Sequence, residues 1–61
     1  SNSNALPTNS ISSNLVKYVT DHYADQGVNH IEKTREGFEV ELTNDVDLVF
    51  SSDGNFIRVN P

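Results

Sequence analysis

Sixty-one residues with nine acidic and four basic side chains carry a net charge of −5, and no cluster of Lys or Arg interrupts that balance. A phosphate backbone or an anionic membrane surface would be repelled on average, which makes both poor candidates as partners. A chain this short, without cysteine, must fold on one modest core with no disulfide or thiolate metal centre, and it has little material to enclose a substrate.

No run approaches the roughly 20 apolar residues of a transmembrane helix, and no signal peptide is legible. Residues Ser1 to Ala5 are small and polar and read as a tag remnant or disordered linker, so one domain is expected over residues 6–61. Leu6-Pro7 follows, with Pro suited to a helix start.

From about Thr8 to Asp25 the apolar residues Ile11, Leu15, Tyr18, Val19 and His22 recur at helical spacing. At the helical repeat they lie within about 100° of one another, as an amphipathic helix requires. Val16 and Tyr23 widen the stripe at one edge. Thr8, Asn9 and Ser10 are alternative N-caps, and Gly27 suits a C-terminal left-handed stop.

Four strands are predicted next: Val28–Arg35, Phe38–Thr43, Val46–Ser51 and Phe56–Val59. Alternation of apolar and polar residues assigns one buried and one wet face. Register can be tested, because opposed residues share a face. A two-residue Asp53-Gly54 turn of type I′ sets Phe50 against Ile57 and Leu48 against Val59. In the hairpin before it, a two-residue Asn44-Asp45 turn would mix the faces. A three-residue loop restores Phe38, Val40 and Leu42 to the side of Leu48 and Phe50, which predicts Asn44 or Asp45 in the left-handed region with a bulge beside it.

The first hairpin leaves two registers open. A tight Glu36-Gly37 turn opposes Ile31 to Leu42 but sends Lys33 and Arg35 to the helix side. A shift by one residue pairs Lys33 with Glu39 but exposes Ile31. A bulge between Ile31 and Lys33 would satisfy both. The expected fold is α+β, one helix on a four-stranded antiparallel meander. Its core is Ile11, Leu15, Tyr18, Val19, Ile31, Phe38, Val40, Leu42, Leu48, Phe50, Ile57 and Val59.

Leu6-Pro7, Leu15-Val16-Lys17-Tyr18-Val19, His22-Tyr23 and Ile31-Glu32-Lys33 begin a pattern. Gly37-Phe38-Glu39-Val40-Glu41-Leu42, Asp47-Leu48-Val49-Phe50 and Asp53-Gly54-Asn55-Phe56-Ile57 complete it. Together they resemble the PepSY-like domains of exported Bacteroidetes proteins, related in fold to the β-lactamase inhibitor protein repeat. Ala24 and Ser51 depart from the Pro and Asp frequent in that family. The resemblance implies a periplasmic or secreted, non-catalytic module, often in tandem copies whose sheets join. This chain has one copy, and no inhibitory residue has a match in it.

The chemistry-bearing residues are weak as sites. His22 and His30 with Asp21 or Asp25 lack a ligand spacing that chance would not supply, and read as helix-face and surface histidines. Asp45, Asp47, Asp53 and Asn55 fail the calcium-loop pattern, because Val49 and Phe50 fall inside it. Asp53-Gly54-Asn55 is turn chemistry. Glu39 and Glu41 share a strand face, but that face is the solvated one, with nothing to raise either pKa. No cofactor, metal or catalytic group is expected.

The outer sheet face is left for function. Val49 is expected in a row with Arg58 and either Glu39 or Glu41, with Phe56 on the same side. Glu39, Glu41, Val49, Phe56 and Arg58 therefore form the candidate recognition patch for a protein or peptide partner. The rival reading is homodimerisation through a face or strand edge.

Overall fold

The computed structural model describes residues 11–60. One helix, α1 (Ser13–His22), precedes four strands, β1 (Val28–Lys33), β2 (Gly37–Leu42), β3 (Asp47–Ser51) and β4 (Phe56–Asn60). They form an antiparallel meander in the order β1-β2-β3-β4, the α+β arrangement expected. The proposed linker, Leu6-Pro7 and the candidate caps Thr8, Asn9 and Ser10 lie outside the described residues.

The helix is shorter than its apolar stripe. Ser12 is the N-cap, its hydroxyl accepting the Asn14 N–H at 3.2 Å. Leu15 and Val19, one turn apart, bury against the sheet, and Lys17 pairs with Asp21 at 3.0 Å on the wet side. The helix ends at Tyr23 rather than at Gly27. Gly27 instead ties the chain to the far end of the sheet: its N–H donates to Thr43 Oγ1 and its carbonyl accepts the Thr43 N–H.

The central hairpin follows its sequence register. Phe38 opposes Phe50, Val40 opposes Leu48 and Glu41 opposes Asp47. A three-residue loop closes it, with the Asp45 N–H bonded to the Leu42 carbonyl and Asp45 at φ 69°. Aspartate tolerates this left-handed conformation because its short side chain bonds locally.

Both outer hairpins differ from expectation. The β1–β2 turn is Arg35-Glu36, closed by mutual hydrogen bonds between Thr34 and Gly37. Ile31 therefore opposes Val40, and Lys33 opposes Phe38. The bulge sits between Val28 and His30, not between Ile31 and Lys33. Lys33 stays on the helix side because it is at the edge, its ammonium 5.6 Å from the centre of the Phe38 ring.

The β3–β4 loop has three residues, Ser52-Asp53-Gly54, with Gly54 at φ 87°. It sets Phe50 against Phe56, not Ile57, and a bulge then restores Leu48 to Val59 and Val49 to Arg58. Two expected core residues are exposed: Ile57 at 43%, displaced from its place opposite Phe50, and Val59 at 42%, which keeps its partner Leu48 but lies on the edge strand.

Phe56 turns inward. Its ring stacks on Tyr18 at 4.4 Å and meets Phe50 edge-on at 5.8 Å. The core cluster is Leu15, Val19, Phe38, Val40, Leu42, Leu48 and Phe50, with Tyr18, Ile31 and Phe56 among its partly buried neighbours.

Candidate functional site

The helix covers one face of the sheet, and among the described residues no secondary-structure element covers the other. The registers order that second face into two rows across all four strands. One row runs Glu32, Glu39, Val49, Arg58, and the next runs His30, Glu41, Asp47, Asn60. Four of the five patch residues expected from sequence are thus brought together: Glu39, Glu41, Val49 and Arg58. The fifth, Phe56, is a correction. Its placement on the outer face rested on a two-residue turn, and the three-residue loop puts its ring against Tyr18.

Val49 also differs from its expected exposure. It points away from the helix, yet only 3% of its surface is accessible. The cause is a pair of polar straps crossing over β3. Arg58 on β4 forms a two-pronged ion pair with Glu36 in the β1–β2 turn, Nη1 to Oε2 at 2.9 Å and Nη2 to Oε1 at 2.8 Å. Asn60 Nδ2 donates to Glu39 Oε2 at 3.1 Å. Val49 is buried on this face without belonging to the apolar cluster on the helix side.

The electrostatics of the face are one-sided. Glu32 stands directly opposite Glu39, and Glu41 directly opposite Asp47. Like charges in facing positions cost stability. His30 approaches Glu32 only to 3.9 Å, and among the described residues neither Glu41 nor Asp47 forms an ion pair. Glu32, Glu36, Asp47 and Asn60 were not among the candidate residues. Asp47 was legible, because the correct central register already opposed it to Glu41. Glu32 and Glu36 required the register of β1, which alternation left open.

The Arg58 hydrogen bonds, helped by its charge, hold the Glu36 carboxyl below its ordinary value of 4.5, and Glu36 in turn raises Arg58. A depressed carboxylate stabilises the fold above its unfolded pKa, and that contribution is lost as pH falls through the folded value. Both ends are about half exposed, so solvent screens the pair and its share of global stability is small. The expected result is local: acid titration releases the Arg58 side chain below the ordinary carboxylate range. The Arg58 Nε–H resonance measured against pH checks this. A Glu36→Gln chain should show no such step, and an unchanged step there would show the strap to be incidental.

A shallow concavity runs along the outer side of the helix, beside Ile11, Asn14, Val16 and Lys17, and neither Glu39 nor Glu41 lines it. Among the described residues no three His, Asp or Glu side chains gather to hold a metal. The constellation presents surface charge on a pleated sheet and, among the described residues, no acid–base pair enclosed from water.

The sequence matches the beta-lactamase-inhibitor-like, PepSY-like family over residues 1–58. The chain belongs to that family. No curated protein matches it. In this PepSY-like chain the match spans the helix and all but the last residues of β4, so the two rows of the open face lie almost wholly inside it. No described helix is long and apolar enough to cross a membrane.

Proposed function

We propose that this PepSY-like chain is a non-catalytic binding module that holds a protein or peptide partner on the open face of its sheet. The observation that carries the reading is that face itself. Four strands are held in register by cross-strand hydrogen bonds and straps, with no described element packed over them. Membership of an inhibitor-like family supports a binding role over catalysis. The same membership supports an exported, periplasmic or secreted, location.

The chain contains no cysteine, so a single introduced thiol can be labelled selectively. Glu41→Cys carrying a bulky maleimide adduct blocks the face, while Thr20→Cys carrying the same adduct marks the outer side of the helix. Partners captured from an envelope extract by the unlabelled chain should be lost with the first label and kept with the second. Equal recovery with both labels would show that the face is not the contact surface.

A specific observation favours self-association as a second reading. Ile57 and Val59 are exposed on β4, an edge strand with one side unpaired. Pairing with a second copy would cover them. Sedimentation across a wide concentration range separates this reading from the first, since a monomer throughout eliminates it.

A further inference from the structure

We infer that the occupant of the open sheet face is a basic, extended segment of a different protein chain, a deepening that rests on the sheet-face reading above. The face is a docking platform by its geometry, and its charges select what can dock. On the three strands β1 to β3 it presents Glu32, Glu39, Glu41 and Asp47, with two facing pairs of like charge. Its one arginine is already engaged by Glu36. An acidic or neutral segment laid over this face would leave those carboxylates desolvated and mutually repelling. A segment bearing Lys or Arg would neutralise them as water is displaced.

A second copy of this chain does not meet that requirement. Its four basic residues are Lys17, Lys33, Arg35 and Arg58. Lys17 lies on the helix, Lys33 and Arg35 border the β1–β2 turn, and Arg58 is on the open face itself. Lys33 and Arg35 come together at that turn, but Arg58, which also reaches it, is already taken up by Glu36, so the copy offers no basic row to match the face, and face-to-face contact would oppose acidic row to acidic row. A metal ion is no better an occupant, because no three carboxylate or imidazole groups converge among the described residues.

An extended segment suits the spacing. Glu39 and Glu41 are two residues apart on one strand, and so are Asp47 and Val49 across from them. A partner with Lys at alternate positions presents its charges along the same pleat period. Binding of this kind is fast and sensitive to salt.

The test is an amide-shift titration of the isotopically labelled chain with three short synthetic peptides that alternate Thr with Lys, Glu or Gln. The Lys peptide is expected to move the amides of residues 39–41 and 47–49, and to bind more weakly as salt is raised. A Glu41→Gln/Asp47→Asn chain should bind it roughly tenfold or more weakly. An Asp21→Asn/Asp25→Asn chain, which loses the same two charges on the helix side, should bind as the parent does. The face variant relieves a facing like-charge pair, so loss of fold is not expected, and far-UV circular dichroism checks it. Equal weakening in both variants would reduce the effect to net charge and overturn the inference. A face that responds to the Glu or Gln peptide and not to Lys overturns the basic occupant while leaving the sheet-face reading intact. A face that no peptide moves overturns both.

Discussion

Gly37→Ala is expected to leave the chain largely unfolded at room temperature. A Cβ at this position would overlap the backbone of the neighbouring strand end, at the Ser51 carbonyl carbon, the Phe50 carbonyl oxygen and the Ser52 nitrogen. None of these is the free end of a flexible side chain, so relief requires β2 and β3 to separate. Gly37 also holds φ 152°, which a side chain disfavours. Overpacking and backbone strain of this kind each cost about 1–3 kcal/mol. A domain of 61 residues has roughly 3–9 kcal/mol to lose, at the usual stability per residue.

Urea unfolding followed by circular dichroism measures the effect. Gly27→Ala is the control, since its Cβ meets only the Thr43 methyl at 3.3 Å, and a change within about 1 kcal/mol is expected there. A Gly37→Ala chain as stable as that control would mean that the two strands do not approach as closely as described.

The second large effect belongs to the aromatic cluster. Phe50 is fully buried, with Tyr18 edge-on at 5.7 Å and Phe56 edge-on at 5.8 Å. Phe50→Ala is expected to cost about 3–5 kcal/mol, the range for truncating a core aromatic. Phe56→Ala should follow at roughly 2–3 kcal/mol, because its ring is partly exposed yet stacked on Tyr18 with only 7° between planes. Ile57→Ala, one residue on, should cost less than about 1 kcal/mol at its exposed position.

The order of these three values distinguishes the register of β4. A two-residue Asp53-Gly54 turn would reverse Phe56 and Ile57, giving Ile57→Ala the large loss and Phe56→Ala the small one. Thermal midpoints of the three variants decide between them.

The residues show why some strands were readable and others were not. In β2 every apolar residue, Phe38, Val40 and Leu42, sits at an even position with Glu39 and Glu41 between them, so a register that mixed the faces was immediately costly. The central hairpin and the facing of Glu41 to Asp47 followed from that alone. In β1 the apolar residues Val28 and Ile31 do not alternate, Ile31 lying among His30, Glu32 and Lys33, and an edge strand tolerates charge on both sides. Alternation therefore had no preference between the two registers. In β4 the apolar residues Phe56, Ile57 and Val59 do not alternate, and either Phe56 or Ile57 could have been the inward residue.

What the sequence by itself determined is the architecture: one helix with Leu15 and Val19 inward, four strands in a meander, and an outer face carrying Glu39, Glu41, Val49 and Arg58. Those features rest on local periodicity, turn chemistry and burial of one face, which neighbouring residues express. What only the tertiary structure decided is the choice at the sheet's two edges. Phe56 faces inward because Tyr18, thirty-eight positions earlier in the chain, offers a ring to stack on, and a Gly54 without Cβ lets the Ser12 cap approach the turn. Val49 is covered because Arg58 reaches across β3 to Glu36. These contacts join residues far apart in sequence. Their energies exist only once the chain has closed, so no local pattern could announce them.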